Sequence, residues 1–186
     1  MSRALSSPLP RLLVLAGSAV ALSACGMFGG GGGTPSPRGS TARATFVNAQ
    51  GQPAGTATLT STGDGVFISA QLRALPEGTH AIHVHQTGRC EPPFESAGAH
   101  FNPSDREHGY LNPAGQHAGD LPNITVRSDG TAAADVYAPG LALTDAANAL
   151  LDGDGAALVV HAGVDDYRTD PSGNSGPRIA CGVVER

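Results

Sequence analysis

Between His80 and Asp120 the chain gathers six of its seven histidines, one of its three cysteines and a closing aspartate. Alternating, strand-like sequence flanks the stretch on both sides. Neutral imidazole offers a nitrogen lone pair at physiological pH, which makes histidine the commonest metal ligand. So many histidines between strands predict a metal-bearing loop carried on a β scaffold.

The rest of the chain supplies that scaffold. From Thr41 onward short alternating runs are separated by turn chemistry: 42–48, 55–60, 66–75, 79–85, 124–127, 131–137, 156–161 and 178–184. In the third run Val66, Ile68, Ala70 and Leu72 share one face, and Gly63-Asp64-Gly65 before it reads as a hairpin turn. About eight short strands of this kind predict an all-β, Greek-key sandwich or barrel. Segment 141–151 is read as a connection with one helical turn, and Asp152-Gly153-Asp154-Gly155 as a tight turn, since it lacks the spaced oxygens of a calcium loop. Two long irregular segments remain, 86–115 and 162–177, and loops of that length in a compact domain are commonly functional.

The N-terminus reads as an address. Arg3 and Arg11 precede an apolar run, 12–22, too short for an ordinary membrane span. It ends in Leu22-Ser23-Ala24-Cys25, which resembles the lipobox of bacterial lipoproteins. That resemblance implies a signal peptide over 1–24, acylation of Cys25, a Gly- and Pro-rich tether over 25–40, and a folded domain over 41–186. The expected location is the cell envelope, with the protein lipid-anchored to a bacterial membrane. Once Cys25 is set aside, Cys90 and Cys181 remain. In an exported chain they are expected to pair, two free buried thiols being the alternative.

Removing the first 25 residues takes away Arg3 and Arg11 but no acid, so the formal charge moves from −5 to −7. There is no lysine anywhere in the chain. An acidic, lysine-free surface argues against nucleic acid as a partner.

His83-Val84-His85 closes a strand, so the two imidazoles project together while Val84 points the other way. His100, His108, His117 and Asp120 are spaced through a loop rich in Gly, Pro and Asn. Three nitrogens and a carboxylate oxygen satisfy tetrahedral zinc with no open position. His161 ends the run Ala157-Leu158-Val159-Val160 on a distant strand and reaches His83 and His85 if the two strands are neighbours.

These residues, together with Ser96-Ala97-Gly98-Ala99-His100-Phe101-Asn102-Pro103, His117-Ala118-Gly119-Asp120-Leu121-Pro122-Asn123, Gly173-Asn174 and Arg178-Ile179-Ala180-Cys181-Gly182-Val183, resemble the motifs of the copper-zinc superoxide dismutase family. The resemblance runs in order from about Thr41 to the end. It implies copper on His83, His85, His100 and His161, and zinc on His100, His108, His117 and Asp120, with His100 as a bridging imidazolate. It implies that Asp165, rather than its neighbour Asp166, accepts hydrogen bonds from one copper and one zinc histidine. It also implies a Cys90–Cys181 disulfide, although the segment after Cys90 is longer than in animal members and looks like bacterial ones.

The implied activity is dismutation of superoxide to oxygen and hydrogen peroxide. His100 passes a proton and Arg178 attracts the anion. A copper-only relative would lack the zinc ligands, and a copper carrier or adhesion domain would be expected to lose Arg178 or a member of the His83/His85 pair. Neither departure occurs. His80, three residues before His83, is expected to hydrogen-bond rather than to ligate. Segment 162–177 carries Asp165, Asp166 and Asp170 against Arg168 alone, so short-range attraction by Arg178 and copper has to outweigh steering from afar. The sequence leaves monomer and homodimer both open.

Overall fold

The computed structural model describes residues 38–144 and 146–186. The signal segment, Cys25 and most of the tether lie outside the described residues.

Nine strands form among the described residues: β1 (Thr41–Asn48), β2 (Pro53–Ser61), β3 (Gly65–Leu72), β4 (Gly78–His80), β5 (Ile82–His85), β6 (Ile124–Val126), β7 (Ala132–Pro139), β8 (Ala157–His161) and β9 (Arg178–Glu185). The expected strand over 79–85 is divided in two. The chain breaks at Ala81, whose N–H donates to Gly163 O and whose carbonyl accepts from His161 N–H. As a result β4 pairs with β6 in a small sheet, while β5 joins a seven-stranded curled sheet in the order β5-β8-β9-β1-β2-β3-β7. Non-sequential neighbours such as β9 beside β1 and β7 beside β3 give the expected Greek-key character.

The period-two pattern fixes which side chains enter the core. Ala42, Ala44 and Phe46 of β1 are buried between exposed neighbours, and Val66, Ile68, Ala70 and Leu72 of β3 do the same. Full burial of a side chain such as Phe46 is worth about 2–3 kcal/mol of apolar transfer. Among its described residues segment 141–151 forms no helix, only a single turn closed by the Ala149 N–H to Ala146 O bond. It runs as an irregular connection held by the bridge between Ala142 and Ala149 and by the Leu151 N–H to Leu143 O bond. Asp152 makes the expected tight turn, its Oδ1 accepting from the N–H groups of Asp154 and Gly155.

Strands β5 and β8 are buried on both faces, and that places the functional site. Ile82 and Val84 pair with Val160 and Leu158 and join the main core. His83 and His85 pair with Val159 and Ala157 on the opposite face. There a second, smaller apolar cluster of Phe94, Ala97, Ala157, Val159 and Cys181 lies under the long loop after β5. A Cys90–Cys181 disulfide, with Cα atoms 5.6 Å apart and 91 residues of sequence between them, ties that loop to β9. Closing a loop of this length disfavours the unfolded chain by about 4–5 kcal/mol in the chain-entropy account.

Candidate metal centre

His83 and His85 arrive from β5 and His161 from the end of β8, next to a register shift between Val160 and His161. His100 is brought in by an isolated bridge to His85. All four are buried, and one ligand atom from each lies within 4.8 Å of the others. The outer ring nitrogens are occupied. His83 Nε2 meets Asp165 Oδ2 at 2.8 Å, His85 Nδ1 meets Gly98 O at 2.9 Å, and His161 Nδ1 meets Gly176 O at 3.1 Å. Since these partners accept, the ring protons sit on the outer nitrogens and the inner ones keep their lone pairs. His85 Nε2 and His161 Nε2 face each other at 3.3 Å, while His83 Nδ1 and His100 Nε2 are buried with no hydrogen-bond partner among the described residues. Buried polar atoms without partners are costly. A set of inward lone pairs is what a copper ion would satisfy.

Burial keeps these rings neutral. Desolvation is the first cause of the lowered pKa in each of the four, taking His100 to about 4 and His161 to about 3. No imidazolium proton then has to leave before copper binds.

The second group is arranged around one carboxylate. Asp120 Oδ1 lies 2.9 Å from His100 Nδ1, 3.0 Å from His108 Nδ1 and 3.2 Å from His117 Nδ1. Its Oδ2 accepts from the N–H groups of Gly109 and His117. Burial alone would push the Asp120 carboxyl up, but the three imidazoles and the Gly109 N–H hold it far below the ordinary range. His108 is the counterpart. Burial would lower its pKa, yet hydrogen bonds to Asp120 and Asp165 raise it to about 9. Three imidazole nitrogens and one carboxylate oxygen form the donor set of a closed structural zinc site. His100 belongs to both groups.

Asp165 joins the two sides. Its Oδ2 accepts from His83 and its Oδ1 from His108 at 2.9 Å. Asp166 instead faces solvent and holds the Arg168 and Thr169 N–H groups. Gly173 is required beside Asp165, because a side chain there would run into the Asp165 carboxylate. His80 stands outside both groups. Its Nδ1 faces His161 O at 2.9 Å and its Nε2 faces Pro76 O at 3.0 Å, which fastens β4 to the end of β8.

Arg178 starts β9 beside His161. Its Nη1 donates to Phe94 O at 2.6 Å and its Nη2 to Gly98 O at 2.7 Å. It lines a cavity of about 410 Å³ together with His85, His100 and His161. Sequence reasoning missed several supports: Asp170, which accepts from His108 N–H at 2.7 Å, Tyr110, which donates to Asp120 O, and Tyr167, which accepts from Asn123 N–H. Two of the chain's three tyrosines falling in the loops was the available signal.

Comparison with known proteins agrees with this geometry. The family model described as copper/zinc superoxide dismutase (SODC) matches residues 53–184. The chain is 45% identical over 146 residues to superoxide dismutase (Cu-Zn) 2 of Aquifex aeolicus, covering 77% of this chain and 85% of that protein. It is 44% identical over 149 residues to the superoxide dismutase (Cu-Zn) of Caulobacter vibrioides, covering 78% and 86%. Among solved structures, a SOD-like protein from Bacillus subtilis superposes with a TM-score of 0.73 at 41% identity, over 76% of this chain and 96% of that one.

Proposed function

The chain belongs to the copper/zinc superoxide dismutase family, and from that membership we propose how its own residues carry the dismutation of superoxide. The observation that carries the assignment is the pair of four-residue groups sharing His100, with unpartnered buried nitrogens on His83 and His100. Copper would be held by His83, His85, His100 and His161, and zinc by His100, His108, His117 and Asp120.

Copper, when bound, supplies a one-electron couple that accepts an electron from one superoxide and returns it to a second. Two superoxide anions and two protons thereby leave as one oxygen and one hydrogen peroxide. The protein's part is to hold the anion and to place a proton. Arg178, fixed by two carbonyls at the cavity wall, attracts and orients the anion through a permanent charge. His100 Nε2 is the nitrogen that carries the proton toward peroxide, while its Nδ1 stays on the zinc side beside Asp120. Asp165 holds one histidine from each metal group and keeps their ring orientations fixed.

Metal analysis combined with a superoxide-consumption assay tests this reading. The wild-type protein is expected to bind both metals and to dismute. Arg178→Ile is expected to keep both metals and the disulfide while losing about tenfold or more of the rate. Full activity in a normally metallated Arg178→Ile protein would remove that residue from the mechanism. A fully metallated wild type with no dismutation would instead favour a copper carrier.

The location is likewise our proposal. The Leu22-Ser23-Ala24-Cys25 motif supports acylation of Cys25 and attachment to a membrane of the cell envelope. Cys25→Ala is expected to move the protein from the membrane fraction to the soluble one at unchanged specific activity. Continued membrane association would sink the idea.

A further inference from the structure

The copper-side cavity is lined by one guanidinium, that of Arg178, and one carboxylate, that of Glu95. The two carbonyls that hold the guanidinium, Phe94 O and Gly98 O, bracket the short 3-10 turn Glu95–Ala97. Phe94 enters this turn with a left-handed backbone, φ 75°, uncommon for a bulky side chain, and its ring is fully buried in the small apolar cluster. The turn is therefore set by packing, and its first residue is aimed at the arginine. Glu95 Oε2 stands 3.7 Å from Arg178 Nη2, with the Glu95 side chain 75% exposed and that of Arg178 15% exposed.

At 3.7 Å the pair is beyond hydrogen-bond distance. The two carbonyls already fix the guanidinium, so the carboxylate adds charge rather than support. The acids of the loop whose Pro171 and Ser172 also line the cavity are committed elsewhere. Asp165 lies between His83 and His108, Asp170 accepts from His108 N–H, and Asp166 holds the turn at Arg168 and Thr169. Being the more exposed partner, the Glu95 carboxylate is what an incoming anion meets before the arginine.

We infer that Glu95 is a rate- and specificity-determining residue of the anion entrance, where its carboxylate partly cancels the Arg178 charge and restrains anion entry. This rests on the reading of Arg178 as the residue that attracts the substrate. In a lysine-free chain, no side-chain ammonium is available to offset it.

The test uses Glu95→Gln and Glu95→Lys in the copper- and zinc-loaded protein, with two readouts. The first is the dissociation constant of azide at Cu(II), followed by its absorption or electron-spin signal. The second is kcat/KM for superoxide across a salt series. At low ionic strength, where the Debye length is about 30 Å, Glu95→Gln is expected to tighten azide and raise kcat/KM, each by about two- to fivefold. Glu95→Lys is expected to exceed it on both measures. The gain should shrink toward none near 1 M salt, where screening acts within about 3 Å. A purely structural effect would not carry that salt dependence. Should the wild type fail to dismute, the reading of its activity would fail, while the azide series would still report on Glu95. Azide affinity equal to wild type in Glu95→Gln at low salt, or a gain that salt leaves untouched, overturns the inference.

Discussion

The two halves of the metal centre share His100 and are otherwise built on opposite plans. Three of the copper-side histidines stand on strands, and their outer nitrogens are tied to Asp165, Gly98 O and Gly176 O. No carboxylate is among the four, and desolvation holds every ring neutral. The zinc side comes entirely from loop, and its three imidazoles gather on one oxygen of Asp120. Strand-borne ligands have their positions set by sheet register whether or not metal is bound. Loop-borne ligands need an internal charge to gather around, and Asp120 supplies it.

Removing that charge breaks the comparison most severely. Asp120→Ala deletes one zinc donor and the acceptor of three imidazoles, and frees the Gly109 and His117 N–H groups. Zinc affinity is expected to fall by about a hundredfold or more, together with thermal stability, while copper still enters through His83, His85 and His161. Metal analysis after dialysis reads both. Asp165→Asn should be milder, weakening each metal by about ten- to a hundredfold, because Asp165 contacts one histidine from each group. Full zinc occupancy in Asp120→Ala would show that the loop is held by something other than this carboxylate.

The same division decided how much was legible beforehand. Where period-two alternation set the structure, as in β1 and β3, the inward residues could be named directly. The ligand groups, Asp165 and the disulfide followed from the resemblance, and their convergence is what the structure adds. The expected strand over 79–85 failed at Ala81. Its neighbours keep strand-like chemistry, and the break is imposed by long-range bonds to Gly163 and His161, which leave no local mark. The helical turn expected in 141–151 is reduced to the Ala149 N–H to Ala146 O bond, beside a bridge between Ala142 and Ala149. Asp170 and Glu95 were passed over for the same reason. A loop aspartate or an exposed glutamate gains meaning only from its neighbours in space, His108 N–H for one and Arg178 for the other.

A gentler way to sharpen the contrast is to titrate the metal-free protein, because the two sides respond to protons with opposite sign. The copper-side histidines have folded values below the ordinary 6.5, His100 at about 4 and His161 at about 3. Between those values and 6.5 the unfolded chain binds protons that the folded protein refuses. Stability therefore falls as pH drops through that window, by about 1.4 kcal/mol per pH unit for each proton involved. His108 behaves in reverse. Its folded value is raised to about 9, so its contribution is complete below 6.5 and is lost as pH rises through 9. Asp120 and Asp165, held below the ordinary 3.8, add a further loss at the acid end. Thermal melts of chelator-treated protein from pH 4 to 10 should peak near about 6.5 and fall on both sides. On the proposed ligand set zinc would take the place of a His108 ring proton, so restoring zinc should remove the alkaline decline first. A metal-free protein that stays equally stable from pH 7 to 10 would mean that His108 carries no extra proton, and that the zinc loop is not gathered by charge.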